Sequence, residues 1–351
     1  MLLAQLRLLI KKHPIPPRGE ILKPLLHAQL LNDPFGDAAL LIEILWEHRA
    51  LLFDLGELKN IRPAKLLKVS HAFVSHAHID HFIGFDTLLR TMLNREKALE
   101  VFGPPGFLDQ VQGKLSGYTW NLTAEYPFSI RASEVHSDRI RSREFLCQER
   151  FFPHQEKEEP FKGVVIVDPQ IQIHIAHLDH LIPSLAFAMQ ERFHINIHKD
   201  RLEQKGFRVG PWLQELKAAL WRGEKEDFQL AASCREGDPT QKKKMPLGAL
   251  REFVTITSGQ KIAYVADCRF TEENITKITA LAWEADIFFC EAAFLEKDRV
   301  QADIRAHLTA RQAGELARRA RVKELQIFHF SPKYEKEPES LHQEAAQAFR
   351  G

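Results

Sequence analysis

The chain has 351 residues, 44% hydrophobic and 27% charged, with a formal net charge of +1. That is the length of one large or two ordinary domains with a soluble, globular balance. Global charge is excluded as a source of nucleic-acid or membrane binding, so any such binding has to come from a local patch. The four cysteines, Cys147, Cys234, Cys268 and Cys290, have neither a close pair nor zinc-ribbon spacing. They read as reduced thiols of a cytoplasmic protein. Met1 to Ile10 is apolar, but Lys11 and Lys12 follow it and prolines break it soon after. No signal peptide is expected. No membrane span is expected either, because no apolar run approaches the roughly 20 residues one needs.

In chain order, residues 1–36 read as an irregular, proline-punctuated lead-in to a single domain over 37–351. Ala39 to Trp46 reads as a strand and Leu51 to Phe53 as a second, so closely linked that they predict a hairpin. The second strand ends in Asp54-Leu55-Gly56, where Asp54 is either a simple turn residue or the orienter of a ligand loop. His71 to Ser75 reads as a buried strand, and Phe82 to about Asn94 as a helix. Between them lies His76-Ala77-His78-Ile79-Asp80-His81. Imidazole and carboxylate suit zinc and similar divalent ions. His76 and His78, two apart at a strand end, point the same way. Asp80 and His81 lie on the turn, within reach of a second ion.

Leu99 to Phe102 reads as a strand stopped by Gly103-Pro104-Pro105-Gly106, and Phe107 to Leu115 as a helix. Phe128 to His136 predicts a strand, and the charged tract Ser137 to Lys162 a solvated insertion. Val164 to Asp168 and Ile171 to Ala176 predict a strand pair that leads to His174, His177, Asp179 and His180. Any of these four could complete a metal site. Phe193 to Gly206 reads as a strand running into a helix, and Trp212 to Trp221 as an amphipathic helix. From 199 to 222, six cations (Lys199, Arg201, Lys205, Arg208, Lys217, Arg222) face three acids (Asp200, Glu203, Glu215), a net charge of +3. A basic arm inserted over about 193–222 is the reading, followed by a polar loop over about 223–247 that carries Lys242-Lys243-Lys244. The rest alternates strand and helix. A strand runs to Ala266 and ends in Asp267, and Thr271 caps a helix. A strand ends in Glu291, and His307 precedes an alanine- and arginine-rich helix. A strand carries His329, and a helix closes the chain. Strand hairpins first and strand–helix alternation later predict two sheets flanked by helices. Each suspected ligand falls at a strand's C-terminal end.

Together these residues resemble the metallo-β-lactamase superfamily, closest to its ribonuclease Z (tRNase Z) branch. The resemblance rests on the His76–His81 motif, His180-Leu181-Ile182-Pro183-Ser184, and the Phe193–Lys217 arm with its Gly-Pro element. It also rests on Tyr264 to Arg269, Cys290-Glu291-Ala292-Ala293, Ala306-His307-Leu308-Thr309 and His329-Phe330-Ser331-Pro332-Lys333-Tyr334. It implies an αββα sandwich holding two divalent ions, zinc or manganese. His76, His78 and His180 would hold the first, and Asp80, His81 and His307 the second, with Asp267 bridging; His174 and His177 become structural. Two departures stand out. The family's N-terminal glycine-rich turn and Pro-x-Lys-x-Arg-Asn loop are not visible, and Cys290 replaces the histidine of its His-Glu-Ala-Thr motif.

Two ions about 3.5–4 Å apart can clamp a phosphodiester for in-line attack. The implied activity is removal of the 3′ trailer of precursor tRNA, with Asp80, Glu291 and His329 as catalytic residues. Arg269, Ser331 and Lys333 would contact phosphate, while Lys199, Arg201, Lys205 and Arg208 would grip the RNA remotely. The family's common homodimer is implied too. Cys290 and the absent loop favour the alternative of a hydrolase of a small or cyclic phosphodiester. A third reading is an RNA-binding relative whose catalysis has decayed.

Overall fold

The computed structural model describes residues 25–45, 47–234 and 242–351. The readings made of residues 1–24, of Trp46 and of 235–241 lie outside the described residues. Backbone contacts divide the chain into two compact units. One is Leu26–Glu191 with Gln260–Gly351; the other, as far as it is described, is Leu25 with 192–234 and 242–259.

In the first unit β1 (Leu26–Leu30), β2 (Leu40–Ile44), β3 (Arg49–Phe53), β4 (Val69–Phe73), β5 (Ala98–Gly103), β6 (Ser129–Val135), β7 (Arg139–Leu146) and β8 (Lys157–Pro160) form an eight-stranded sheet in sequential order. Its centre, β3 to β6, is parallel, and its flanks are antiparallel hairpins. The second sheet contains β9 (Val164–Ile166), β10 (Ile171–Asp179), β11 (Pro183–Glu191), β16 (Lys261–Val265), β17 (Ile287–Glu291) and β18 (Glu324–Phe328), in the order β18-β17-β16-β11-β10-β9.

The alternation along each strand sorts side chains into layers. Leu51 and Phe53 of β3, Phe73 of β4, Phe187 of β11 and Tyr264 of β16 are buried. Phe53 meets Phe187 at 5.6 Å and Tyr264 at 6.0 Å, so these faces of the two sheets pack on each other. The other face of the first sheet, with Ala50, Leu52 and Ala72, packs under Phe85, Leu88 and Met92 and under Phe107 and Val111 of two helices. The outer face of the second, with Ala263, Val265 and Phe288, packs under the helices Glu272–Ala282, Ala310–Arg319 and Pro338–Arg350. Helix, sheet, sheet, helix is the expected αββα sandwich. Strands covered on both faces read as continuous apolar runs, as Ala50 to Phe53 does.

Three readings are corrected. Residues 26–30 of the lead-in form β1, whose Leu26 is turned into the core. The charged tract 137–162 forms β7 and β8 rather than an insertion off the sheet. Its charges are cross-strand partners: Glu134 lies opposite Arg141 and binds it at 3.2 Å, while Ile140 and Phe145 face inward. The stretch read as a polar loop carries β13 (Gln229–Ser233) and β14 (Lys242–Pro246), an antiparallel pair. Leu230 and Ala232 of β13 are buried, while the three lysines of β14 are exposed. The second unit also holds β12 (His194–Ile197), paired with β15 (Val254–Thr257), and the helices Lys199–Gln204 and Trp212–Arg222. It has its own core of Ile195, Leu202, Phe207, Leu216, Leu230 and Phe253.

Candidate metal centre

One edge of the first unit's sandwich collects the ligand-type residues. His76 and His78 follow β4, and Asp80 and His81 lie in the short helix Ile79–Phe82. His180 occupies the β10–β11 turn, Asp267 follows β16, Glu291 ends β17 and His329 follows β18. β16, β17 and β18 are mutually parallel, and β11 runs against β16, so these ends share an edge. Gly84 makes the close packing possible. A β-carbon there would lie 2.0 Å from the Gly56 carbonyl oxygen, whereas glycine lets Gly84 N donate to Leu55 O at 2.7 Å. In the same loop Leu55 N donates to the His81 carbonyl at 2.8 Å, which fixes the ligand helix against the end of β3.

Among the described residues the donor atoms form three overlapping groups, each within 4.8 Å. The first is His76, His78, His180 and Asp267. The second is Asp80, His81, Asp267 and His329. The third is Asp267, Glu291, His307 and His329. Asp267 is common to all three and is 2% exposed, so a single buried carboxylate organises the cluster.

Backbone and side-chain partners aim the imidazoles. His81 Nδ1 donates to Asp54 Oδ2 at 2.9 Å, and His180 Nδ1 donates to the Ala306 carbonyl at 2.9 Å. Ser75 Oγ gives its proton to Asp54 Oδ2 at 2.9 Å, so at 3.0 Å it accepts from His76 Nδ1. Each ring thereby turns Nε2 toward Asp267, at 3.7 Å for His76, 3.4 Å for His81 and 3.7 Å for His180. Outer hydrogen bonds of this kind set the tautomer that a metal ligand requires. Asp54 also accepts from Ser75 N at 2.6 Å and from the Tyr264 hydroxyl at 2.8 Å. Asp54 is thus the orienter of the ligand loop and not a bare turn residue.

The charges divide the cluster. Burial, then the neighbouring His81 charge, hold His76 far below the usual imidazole range. Burial, then His180, lower His78 as well. For His81 burial acts downward, but Asp267 and Asp54 outweigh it and raise the group well above 6.5. His329 is raised against burial by Asp267 and by its bond to Asp80 at 3.2 Å. His307 is pushed up to about 9, because Glu291 at 3.0 Å and then Asp267 overcome burial. Burial opposes ionisation of Asp267, yet the charges of His329 and His81 hold it well below the carboxylate range.

A divalent cation fits these residues. His81 Nε2, Asp267 Oδ1 and His329 Nδ1 are buried and make no hydrogen bond, although Asp267 Oδ1 lies 3.4 Å from the first and 3.1 Å from the second. Buried polar atoms without partners are rare and need an explanation such as an ion. Two imidazole nitrogens and a carboxylate oxygen facing one space are a zinc-type donor set.

The structure places His329, rather than His307, with Asp80 and His81. His307 stands beside Glu291, whose Oε1 accepts from Cys268 N at 2.8 Å. Cys290 faces the other way, in the core beneath the helices, where burial raises its thiol. Of the phosphate-contact candidates, Arg269 is paired with Asp179 at 3.0 Å and Lys333 with Asp298 at 2.6 Å, while Ser331 Oγ caps the turn before Tyr334. Lys199, Arg201, Lys205 and Arg208 are exposed in the other unit. His177 donates to the Val135 carbonyl at 2.8 Å; neither it nor His174 joins a group. Ser75, Tyr264 and Ala306 were given no role in the sequence, although Tyr264 and Ala306 each open a motif that carries the resemblance and Ser75 stands beside His76.

No protein-family model matches the chain. The chain is 28% identical to the ribonuclease Z of Deinococcus radiodurans over 88% of its own length and 91% of that protein's. It is 29% identical to the ribonuclease Z of Brevibacillus brevis, over 85% and 82%. The solved structure of the short form of human tRNase Z superposes with a TM-score of 0.51 at 18% identity, over 88% of this chain and 92% of that one. A metallo-β-lactamase fold protein of Bacillus subtilis superposes with a TM-score of 0.51 at 13% identity, over 90% and 86%. By fold and by sequence, the resemblance to the ribonuclease Z branch of the metallo-β-lactamase superfamily holds along most of the chain.

Proposed function

We propose that the protein is a cytoplasmic, dinuclear-metal endoribonuclease that removes the 3′ trailer of precursor tRNA. The observation that carries this reading is the cluster centred on Asp267, with the Glu291–His307 pair at its edge. His76, His78, His180 and Asp267 hold one cation, and Asp80, His81, His329 and Asp267 the other. When bound, two zinc or manganese ions supply charge neutralisation at the phosphodiester and acidify water.

The chain's own groups do the rest. Asp80, half-buried and kept ionised by its bond to His329 despite burial, takes up the proton of the attacking water. His307 carries a proton below about pH 9, and Glu291 holds it by Nδ1 with Nε2 free to give a proton to the leaving 3′ oxygen. Glu291 is 0% exposed and anchored by Cys268 N, so it orients His307. Lys199, Arg201, Lys205 and Arg208 contact RNA phosphates, and Arg269, Ser331 and Lys333 contact phosphate nearer the cleavage point. The working form is a homodimer, as is common in the branch.

The similarity to proteins named ribonuclease Z supports tRNA as substrate. The alternative, a small phosphodiester, loses one of its two supports, because Cys290 lies in the core and leaves the acid's place to His307. Its other support stands: no Pro-x-Lys-x-Arg-Asn loop is visible in the sequence. Incubating the protein with a precursor tRNA and with a nitrophenyl phosphodiester, in zinc and in manganese, separates the two. Cleavage of the tRNA at the trailer junction is expected, abolished by Asp80→Ala. Turnover of the small ester with intact tRNA would sink the endonuclease reading. Reversing Lys199, Arg201, Lys205 and Arg208 to Glu should raise KM for tRNA, flatten its salt dependence and leave the small ester unaffected.

A further inference from the structure

We propose that Asn274, which belongs to no motif and offers no metal ligand, is the positioning residue that fastens the His180 turn to the Asp267 turn. It lies in the first turn of the helix Glu272–Ala282, where its backbone N donates to the Thr271 hydroxyl at 3.2 Å. Its side chain is 1% exposed. Oδ1 accepts from Asp179 N at 3.0 Å, while Nδ2 donates to Asp179 O at 2.9 Å and to Arg269 O at 2.8 Å. Asp179 precedes His180, and Arg269 is two residues beyond Asp267. One amide therefore spends both donors and one acceptor position on the backbones of two ligand loops.

The turn it grips needs a restraint. Leu181, directly after His180, has φ +61°, a left-handed conformation that a branched side chain disfavours. Leu181 is 66% exposed, so packing does not hold it there. Hydrogen bonds do. Asp179 Oδ1 accepts from Leu181 N at 2.8 Å, and Asp179 Oδ2 pairs with Arg269 Nη1 at 3.0 Å. Arg269 N also donates to Asp179 O at 2.9 Å. Strained backbone persists where its surroundings over-determine it. Here Asn274 is the buried member of that restraint, and it acts from a helix that carries no ligand itself. The amide is required: aspartate would offer no donor to the two carbonyls, and alanine would offer nothing.

The inference rests on the metal-binding part of the proposed function and not on the substrate. It is tested by stripping the protein of metal and titrating zinc back against a chromophoric chelator, with circular dichroism as the check on folding. The set is wild type, Asn274→Asp, Asn274→Ala, His180→Ala and the double variant His180→Ala/Asn274→Asp. The single Asn274 variants should stay folded and lose about 10- to 100-fold in zinc affinity, the scale of outer-layer metal-site substitutions. In the His180→Ala background Asn274→Asp should cost less than it does alone, since part of its effect runs through His180. Zinc affinity within twofold of wild type, the same loss in both backgrounds, or unfolding of both single variants would each overturn the positioning role. A wild-type chain that takes up no zinc removes the metal reading itself, and the inference with it.

Discussion

The two halves of the metal cluster are built from the same residue types and are electrically opposite. On one side His76 and His180 are oriented by a hydroxyl and a carbonyl, and burial keeps His76 uncharged. On the other side His81, His329 and His307 each lean on a carboxylate, Asp54, Asp80 and Glu291 in turn, and each is raised. Kept uncharged by burial, His76 offers a lone pair as a ligand and holds no extra proton. An imidazole against a buried carboxylate can also hold a proton, and His307 does so at the rim of the cluster. The difference assigns ligand work to the first half, and ligand plus proton work to the second.

Several substitutions break or sharpen that division. Asp267→Ala removes the one residue common to all three groups. Both sites should empty, with metal content by mass spectrometry near zero and activity at background. Next in size, His329→Gln should lose one of two ions and with it activity. His307→Gln should keep both ions and lose about a hundred- to ten-thousandfold in turnover, the scale of a missing general acid. Because the His307 pKa is raised to about 9, its proton is in place below that pH and leaves as pH rises through it. The wild-type rate should therefore fall on the alkaline side near 9, and that limb should vanish in His307→Gln.

Asp54→Asn is expected to have a smaller effect. It weakens the orientation of His81 and of the Ser75–His76 pair without removing a ligand, at a cost of about 10- to 100-fold in metal affinity. The smallest effect on chemistry belongs to Cys290. Restoring the family's residue with Cys290→His should give no gain in cleavage, because the side chain points into the helix-side core. It should instead cost about 1–3 kcal/mol by overpacking, read as a lower melting temperature.

Much of this was legible in the sequence. The His76–His81 turn declares itself because four ligand-type residues fall within six positions at a strand end. Asp267 and Glu291 stand out by their places at the ends of apolar runs, whereas His180 was one of four candidates and only the family resemblance picked it out. The partition between His307 and His329 was not legible. Both follow secondary structure by a residue or two, and their roles separate only in the fold, where His329 joins Asp80 and His81 while His307 bonds to Glu291. Cys290 and Glu291 show the period-2 rule at work: adjacent residues on β17 face opposite sides, and a motif read as a string does not say which faces the site. β7 and β8 were hidden because their outward positions are charged. Their pairing depends on cross-strand partners such as Glu134 and Arg141, which the linear order does not reveal.

The central claim is that the carboxylate-paired half supplies the proton to the leaving group while the cations act at phosphorus. The most direct test is to compare precursor-tRNA cleavage with hydrolysis of a nitrophenyl phosphodiester, whose leaving group needs no proton, in wild type, His307→Gln and His329→Gln. The prediction is that His307→Gln loses tRNA cleavage and keeps most of the nitrophenyl activity, whereas His329→Gln loses both. Equal loss of the two activities in His307→Gln, with its metal content intact, would contradict it.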